Sequence, residues 1–481
     1  MTSAKVLAFF DEILRIPRES GHEEQIIAYL QNWAAQRGLE CQTDAFGNVL
    51  IRKEAAKGCE SMPTLILQSH SDMVCEKNKG VEHDFAKDPI KAVVKDGWLI
   101  AENTTLGADC GIGIAATLAV LDDEDLPHGP LECLFTSSEE TGMDGAFGLS
   151  PELLKGSILI NLDSEDEGEL FIGCSGGLDT TAVWEYKDTE ALAAGSAVIE
   201  ICFEGGIGGH SGDDIHKGRS NAIQSLARSL WRIWHRCPGA QLLSIDGGNK
   251  RNAIAREAKA VIALPAESVA LAKEIHLQAV EEVRSEYAKT DSGITGTVVE
   301  LPDCGLEGAI PFDVARGLIH ALCGAPHGVL AMSAEVHGLV QLSTNLASVK
   351  MPSPGVIRIG TSQRSAVASE RRWAGERVEA AFAQAGAVVT HNGEYPGWTP
   401  SMKSRILDVT RQAYKDLFKV EPVIRAIHAG LECGLIIDKY PQMDAISFGP
   451  TLRGVHAPGE RLDLASLDKF VLLLEEVIRK A

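Results

Sequence analysis

Short apolar runs alternate with helical patterns along the first part of the chain. Three of these runs are typical of buried strands: TLILQ (64–68), LECLF (131–135) and SILINL (157–162). The segment GIGIAATLAVL (111–121) is typical of a helix. Upstream, the pattern over 20–38 predicts a helix that opens with a capping box at Ser20 and Glu23 and ends at a glycine. Strands separated by helices predict a mostly parallel, doubly wound sheet.

The pattern changes in the middle of the chain and changes back towards its end. A strand predicted over 196–205 leads into a glycine-rich loop, and a helix follows. After the turn-rich segment HNGEYPGWTP (391–400), helices and strands alternate again up to the last helix, LASLDKFVLLLEEVIRK. We therefore predict one α/β domain built from residues 1–186 and 395–481, with an α+β domain over residues 187–394 inserted between them.

Composition and charge narrow the class of protein. The 481-residue chain carries a formal net charge of −22, which disfavours nucleic acids and anionic membranes as partners, since both need clustered basic residues. Eleven cysteines without CxxC spacing indicate reduced thiols rather than a disulfide framework. The N-terminal segment predicts an amphipathic helix rather than a signal peptide, and no run is apolar enough for a membrane span. These features predict a cytoplasmic protein.

Polar side chains follow the predicted strands at the points where the strands end. The three runs above are followed by His70 and Asp72, by Glu139 and Glu140, and by Asp163; His456 follows the strand predicted at DAISF (444–448), and Asp109 precedes the helix over 111–121. In a parallel α/β sheet, ligands bind in the crevice beyond the carboxyl ends of the strands. We therefore expect these imidazoles and carboxylates to converge at one edge of the sheet.

Such a mixture of histidine nitrogens and carboxylate oxygens favours zinc, with cobalt or manganese as substitutes. If Asp72 and one of the two adjacent glutamates have other roles, five ligands remain. Five ligands are too many for one tetrahedral ion with an open position. They suit two ions about 3.5–4 Å apart that share a bridging carboxylate. Asp109 is the candidate bridge, because it lies between other ligands in chain order.

The adjacent Glu139 and Glu140 need not have the same role. Successive side chains at a strand end point in different directions, so one carboxylate can bind metal while its neighbour faces the substrate. The free carboxylate can take the proton of a metal-bound water, whose pKa falls toward roughly 7. Asp72 lies on the same side of an extended chain as His70, and it can accept the ring N–H of that histidine.

Three other interpretations are weaker. Residues 173–177 read GCSGG and match the G-x-S-x-G nucleophile elbow, which requires a helix directly after the serine. The segment LDTTAVWEY that follows predicts a strand instead, and this disfavours a serine hydrolase. The glycine-rich loop GGIGGHSG misses the G-x-G-x-x-G register of nucleotide sites. The intact acid–base pair argues against a non-catalytic metal-binding protein.

Seven motifs occur in order along nearly the whole chain: QSHSDMV, TTLGADCGIG, SSEETGMDGAFGL, INLDSEDEGE, GGHSG, HAGLECG and GPTLRGVHAPGE. Together they resemble the aminoacyl-histidine dipeptidases, carnosinase-like bacterial enzymes of a two-zinc metallopeptidase clan that also contains aminoacylases and carboxypeptidases. The resemblance implies five metal ligands, namely His70, Asp109, Glu140, Asp163 and His456, with Asp109 as the bridge. It also implies Glu139 as the general base and Asp72 as the residue that orients His70.

The same resemblance implies a cytosolic two-zinc dipeptidase that hydrolyses unblocked dipeptides through a metal-bound hydroxide and favours a C-terminal histidine. An aminoacylase or a carboxypeptidase of the clan is the alternative. The inserted domain is then a lid that mediates homodimerisation. Within it, Arg364 matches the position that binds the substrate carboxylate. His210 can stabilise the oxyanion from its own subunit or from the dimer partner, and Asn252 is a candidate for the same region.

The chain departs from the family pattern at two positions. Cys110 stands where asparagine is expected after Asp109, and Ala255 stands where proline is expected. A thiol beside the metals could add sensitivity to oxidation or alter the metal preference. Neither change removes a ligand.

Overall fold

The structure is a computed structural model that describes residues 1–302, 305–306 and 308–481, and in it the chain forms two compact units. The first unit comprises Met1–Cys174, Trp398–Ala426 and Leu431–Ala481. The second comprises Ser175–Gly397 and Ile427–Gly430. No helix in the described part of the chain combines the length and apolar character that crossing a membrane requires.

Helices and strands alternate through the described residues. The helices are α1 (Ser3–Ile13), α2 (Glu24–Gln36), α3 (Ala108–Leu121), α4 (Glu139–Gly142), α5 (Asp144–Gly148), α6 (Ala222–Arg236), α7 (Val269–Glu286), α8 (Phe312–Gly324), α9 (Ala368–Gln384), α10 (Arg405–Phe418), α11 (Glu432–Lys439) and α12 (Leu464–Lys480), with a 3₁₀ turn at Ala266–Ser268. The strands are β1 (Glu40–Thr43), β2 (Val49–Lys53), β3 (Leu65–His70), β4 (Ala92–Lys95), β5 (Trp98–Ala101), β6 (Leu131–Thr136), β7 (Ile158–Asn161), β8 (Glu169–Cys174), β9 (Gly176–Glu185), β10 (Ser196–Glu204), β11 (Gln241–Gly248), β12 (Ala258–Pro265), β13 (Thr295–Glu300), β14 (Gly328–Met332), β15 (Val340–Ser353), β16 (Val356–Ser365), β17 (Val388–Tyr395), β18 (Val423–Ile427), β19 (Asp444–Ser447), β20 (Leu452–Arg453) and β21 (Arg461–Asp463).

An eight-stranded sheet forms the centre of the first unit, in the order β1-β2-β6-β3-β7-β19-β8-β18. The central strands β6, β3, β7 and β19 run parallel, while β2 pairs antiparallel with β6, and β8 pairs antiparallel with β19. The sheet is therefore mixed with a parallel centre, and the predicted α/β class is confirmed. His70 at the end of β3 lies opposite Thr136 at the end of β6, so the carboxyl ends of these strands meet at one edge.

The central strands form at apolar runs because both of their faces are covered. Every residue of β3, β6 and β7 is buried. Helix α3 packs against β3, and all of its residues except Asp109 are buried. Strands covered on both faces have continuous apolar sequences rather than alternating ones, which is the pattern found here.

The predicted capping box at the start of α2 is wrong. The N-cap residue is Glu23, and its side chain makes no hydrogen bond to the start of the helix. Ser20 Oγ instead donates to Asp72 Oδ2 at 2.7 Å, and Glu23 Oε1 accepts both the backbone N–H and the hydroxyl of Ser138 at 2.9 Å. The local pattern predicts reciprocal hydrogen bonds between Ser20 and Glu23. Each side chain instead bonds to a residue far along the chain.

The second unit is built on a nine-stranded sheet in the order β13-β10-β12-β11-β15-β16-β9-β17, with β14 paired to β15. Its described strand pairs are antiparallel. Helices α6 and α7 pack on β10, and α9 packs on β9 and β16, over a core that includes Phe203, Leu226 and Phe382. An antiparallel sheet with helices packed on it is the α+β arrangement predicted for the insert.

The second unit begins at Ser175, whereas the sequence pattern predicts a boundary after residue 186. The physical reason is β9, which pairs with β16 along its full length and also pairs with β17. Because β9 starts directly after Ser175, the serine of GCSGG is followed by a strand and not by the helix of a nucleophile elbow.

Candidate metal centre

Each predicted ligand lies where an element of the first unit begins or ends. His70 is the last residue of β3, and Asp163 follows the end of β7. Asp109 lies in the first turn of α3 with a φ of −80° and a ψ of 112°, which are not helical values. Glu140 lies in the short helix α4, and His456 follows β20 with a φ of 61°. Segments that are far apart in sequence therefore supply the five side chains.

Asp109 lies between two pairs of the other ligands. Its Oδ1 is 3.0 Å from His70 Nε2, which in turn lies 3.2 Å from Asp163 Oδ1. Its Oδ2 is 3.1 Å from His456 Nε2, which lies 2.8 Å from Glu140 Oε1. A carboxylate that faces a different ligand pair with each of its oxygens has the arrangement of a bridging ligand.

The donor set fits divalent cations. His70, Asp109 and Glu140 place one ligand atom each within 4.8 Å of one another. Asp163 Oδ1 is buried and accepts no hydrogen bond, although it lies at ion-pair distance from the His70 ring. A buried carboxylate oxygen in this situation is costly unless a cation neutralises it. Imidazole and carboxylate are the ligands that zinc and similar ions use.

The charged groups of the centre shift the pKa values of one another. Hydrogen bonds to Asp109 and Glu140 raise the pKa of His456 to about 11. Burial raises the pKa of Glu140 and the pKa of Asp163. Burial acts in the same direction on Asp109, but hydrogen bonds from His456 and His70 outweigh it and hold the pKa of Asp109 below its usual range. Metal ions that take the place of the imidazole protons would therefore release protons on binding.

Asp72 holds both His70 and the start of α4. Its Oδ1 lies 3.3 Å from His70 Nδ1 and accepts the backbone N–H of Glu139 at 3.0 Å. Its Oδ2 accepts the backbone N–H of Glu140 at 3.2 Å. Burial raises the pKa of Asp72, but the hydrogen bond with His70 and the charge of that ring outweigh it and lower the pKa below its usual range. A charged acceptor at Nδ1 directs Nε2 of His70 toward the other ligands.

Glu139 differs from Glu140 in the groups that surround its carboxylate. Burial raises the pKa of Glu139 well above its usual range. The charge of His70 lowers this pKa, whereas the negative charges of Asp163 and Glu432 raise it further. Glu140 instead contacts His456 through its Oε1. A buried carboxyl group with a raised pKa holds a proton more readily than an exposed one.

Two buried charged side chains, which the sequence pattern does not reveal, hold the loop before Asp109. The Glu460 carboxylate accepts backbone N–H groups from three consecutive residues at 2.8–2.9 Å: Leu106, Gly107 and Ala108. Arg18 donates to the carbonyl groups of Gly107 and Asp72. Both residues are far from Asp109 in the chain, so spacing gives no signal for them. The motif GPTLRGVHAPGE contains Glu460 and is the one sequence feature that points to it.

A row of buried polar side chains crosses the parallel strands next to the ligands. Asn161 Nδ2 donates to Gln68 Oε1 at 2.6 Å, and Ser447 Oγ donates to Asn161 Oδ1 at 2.5 Å. Gln68 Nε2 and Thr136 Oγ1 both donate to Glu432 Oε2 at 2.7 Å. Glu432 is fully buried, its Oε1 has no hydrogen-bond partner, and burial raises its pKa to about 7.

The three predicted substrate-binding residues lie in the second unit. Arg364 is buried and donates to the Tyr395 hydroxyl at 3.0 Å and to the Ser211 hydroxyl at 3.4 Å, and both of these partners are neutral. A guanidinium held by neutral groups retains donors for an anion. Burial and the charge of Arg364 lower the pKa of His210. Asn252 is exposed, and its backbone carbonyl accepts the N–H of Ser211 at 2.8 Å.

The chain is similar to known peptidases over nearly its full length. It is 40% identical over 472 residues to the cytosol non-specific dipeptidase of Escherichia coli K12, covering 98% of this chain and 96% of the relative. The crystal structure of aminoacylhistidine dipeptidase from Vibrio alginolyticus superimposes with a TM-score of 0.91 at 38% identity, covering 99% of this chain and 96% of that chain. Aminopeptidase PepT from Bacillus cereus has the same fold, with a TM-score of 0.59 at 16% identity over 100% of this chain and 99% of that chain.

The family assignment rests on the extent of these matches together with the site. The family model described as peptidase family M20/M25/M40 matches residues 66–480, a range that contains all five predicted ligands. This chain is therefore a metallopeptidase that belongs to peptidase family M20/M25/M40.

Proposed function

We propose that this protein is a two-metal dipeptidase that hydrolyses unblocked dipeptides and favours histidine at their C-terminal position. The proposal rests on the arrangement in which Asp109 faces His70 with one oxygen and His456 with the other. Two divalent cations, with zinc preferred and cobalt or manganese as substitutes, fit this donor set and would supply Lewis-acid polarisation of the scissile carbonyl and of an attacking water. The names of the Escherichia coli and Vibrio alginolyticus relatives described above support the dipeptidase reaction.

Glu139 is the proposed general base. Its carboxylate takes a proton from the attacking water and later passes a proton to the nitrogen of the leaving amine, so one group serves both steps. The adjacent Glu140 is a ligand, as are His70 and His456. Asp72 keeps His70 in the tautomer and orientation that a ligand needs, because it accepts at Nδ1.

Residues of the second unit are proposed to recognise the dipeptide. Arg364 binds the free carboxylate with two parallel hydrogen bonds. His210 donates to the oxyanion that forms at the scissile carbonyl. Its Nδ1 accepts the backbone N–H of Asp213 at 3.1 Å, so the proton of the neutral ring lies on Nε2, and its lowered pKa keeps the ring neutral at pH 7. Asn252 is a further candidate, since its carbonyl accepts the N–H of Ser211.

The names of the relatives describe two ranges of substrate. The Escherichia coli protein is named as non-specific, and the Vibrio alginolyticus protein is named for aminoacylhistidine substrates. A preference for C-terminal histidine is therefore the narrower form of the proposal, and activity on dipeptides in general is the wider form.

We also propose a cytoplasmic homodimer whose second unit mediates dimerisation and acts as a lid. The name of the Escherichia coli relative supports the cytosolic location, and the net charge of −22 disfavours nucleic acid as a partner. Sedimentation of the purified protein tests the dimer, because a monomer at micromolar concentration would contradict it.

A substrate panel tests the reaction. Purified enzyme is assayed on Xaa-His and Xaa-Leu dipeptides, on their N-acetylated forms and on a matching tripeptide, before and after treatment with a chelator. Unblocked dipeptides should be hydrolysed, the His series fastest, and chelation should abolish the activity. Preference for N-acetylated substrates would indicate an aminoacylase, preference for the tripeptide would indicate a carboxypeptidase, and activity that survives complete metal removal would contradict the two-metal site.

A further inference from the structure

The roles assigned above do not explain the position of Cys110. Its side chain is 1% exposed, and its thiol donates to the Leu162 carbonyl at 3.3 Å. Cys110 directly follows one predicted ligand, Asp109, and Leu162 directly precedes another, Asp163. The sulfur packs against Gly113, where a Cβ atom would come within 2.7 Å of Sγ. The surrounding backbone thus leaves room for this sulfur next to two ligand-bearing segments.

The sulfur lies close to one pair of ligands. Cys110, His70 and Asp163 each place one ligand atom within 4.8 Å of the others. Ligand atoms that share one ion, each at roughly 2.0–2.3 Å from it, have separations of this order. The second group of this kind in the described residues consists of His70, Asp109 and Glu140, and it contains no sulfur.

We propose that Cys110 is a thiolate ligand for the metal ion held by His70 and Asp163, so that the two metal positions differ chemically. This inference rests on the proposed two-metal function. One position has nitrogen, oxygen and sulfur donors, whereas the position at His456 and Glu140 has nitrogen and oxygen donors. On binding, the S–H bond breaks, the proton passes to solvent, and the sulfur donates an electron pair to the cation with no change of oxidation state.

A sulfur donor changes which metal each position prefers. Thiolate ligands favour zinc, while carboxylate and water ligands suit manganese. The position that includes Cys110 should therefore retain zinc when the other position exchanges its ion for manganese. An asparagine at this position, as the family pattern has it, offers no thiolate. The departure from the family pattern thus becomes a determinant of metal selectivity.

Cobalt spectroscopy tests the inference independently of activity. Metal-free protein is loaded anaerobically with cobalt, the bound ions are counted, and the near-ultraviolet absorption is recorded for sulfur-to-cobalt charge transfer. Wild type should show this band, and both Cys110→Ser and Cys110→Asn should lose it while still binding two cobalt ions. The matched control is Cys133→Ser, since Cys133 is also fully buried in the first unit but lies in β6 and is not part of a ligand group.

Competition between metals provides the second measurement. The ratio of zinc affinity to manganese affinity should fall by at least roughly 10-fold in Cys110→Asn, because loss of a group that only supports a ligand already costs about that factor in metal sites. Two bound cobalt ions without a charge-transfer band in wild type would overturn the thiolate ligand and leave the two-metal function intact. Failure of the wild type to bind cobalt or zinc at all would overturn both.

Discussion

At the residue scale, the adjacent carboxylates Glu139 and Glu140 are proposed to divide two tasks that one residue cannot combine. A metal ligand has to stay deprotonated, whereas a general base has to gain and lose a proton in each turnover. Glu140 contacts His456, and Asp72 accepts the backbone N–H groups of both glutamates. The two carboxylates can therefore be separated by mutation.

Replacing each glutamate by glutamine should give different losses. Glu139→Gln should keep both metals and lose roughly 10²- to 10⁴-fold in kcat, because a positioned base contributes about that factor. Glu140→Gln should lower the metal content, and its activity should fall with it. Metal analysis and steady-state kinetics on the same preparations measure both effects. Loss of metal in Glu139→Gln with full retention in Glu140→Gln would exchange the two roles.

Arg364 offers a test of substrate recognition at the same scale. The described hydrogen-bond partners of Arg364 are the neutral hydroxyls of Ser211 and Tyr395. Removing the guanidinium therefore leaves neither of these partners with an uncompensated charge. Arg364→Ala should raise KM for dipeptides by roughly 10- to 100-fold, as expected for hydrogen bonds to a charged group, and should leave the metal content unchanged. Arg358→Ala is the matched control, because Arg358 lies exposed on the same strand, β16. Equal KM values in the two variants would place carboxylate recognition elsewhere.

At the scale of secondary-structure elements, the centre depends on how firmly the loops between strands and helices are held. The loop before Asp109 has three backbone N–H groups directed at the Glu460 carboxylate and a carbonyl directed at Arg18. Glutamine at 460 offers a neutral amide where the loop needs an anion. Glu460→Gln should therefore weaken metal binding by about 10- to 100-fold while activity returns at saturating metal.

The matched control for this loop is Glu421→Gln, since Glu421 is half exposed and pairs with Arg411 and Lys415 at the surface of the first unit. Metal titration of both variants gives the comparison. Unchanged metal affinity in Glu460→Gln would mean that the loop does not need the carboxylate to present Asp109.

The buried polar row at β3, β6, β7 and β19 gives a pH-dependent prediction through Glu432. Its pKa is about 7 in the folded protein, against about 4.3 for an unfolded chain. Between these pH values the folded state binds more protons than the unfolded state, so the free energy of unfolding falls as the pH rises. Above pH 7 the cost of burying the ionised carboxylate is present in full. Glu432→Gln removes the penalty and keeps an acceptor for Gln68 and Thr136. The variant should raise the Tm of metal-free protein at pH 8 and change it less at pH 4.5.

The measurement is a series of thermal unfolding curves at several pH values, with Glu421→Gln as the surface control. A gain in Tm that is larger at pH 4.5 than at pH 8 would have the opposite sign and would contradict the assignment of a raised pKa to Glu432.

The elements also show what the chain pattern can and cannot predict. The strands that end in ligands are predictable, because continuous apolar runs are typical of strands buried on both faces. The places of His70 and Asp163 at the ends of β3 and β7 are predictable in the same way, whereas their roles as ligands stay predictions. Ser20 and Glu460 are not predictable in this way, because each bonds to a partner that only the tertiary fold brings close. Local patterns contain no information about such distant pairs.

At the scale of the whole molecule, the same limit applies to the boundaries of the two units. Residues 176–185 look like a continuation of the first unit, yet as β9 they pair with β16 and β17, which come much later in the chain. The family assignment is predictable despite this, because seven motifs in order identify it without any knowledge of strand pairing.

The number of metal ions needed for activity tests the two-metal dipeptidase most directly. Metal-free protein is titrated with zinc while the bound ions are counted and hydrolysis of a dipeptide is followed in each sample. Activity should rise to a plateau at two ions per chain, and Asp109→Ala, which lacks the proposed bridge, should bind fewer ions and remain inactive at the same zinc concentration. Full activity at one ion per chain, or full activity of Asp109→Ala, would contradict the two-metal centre.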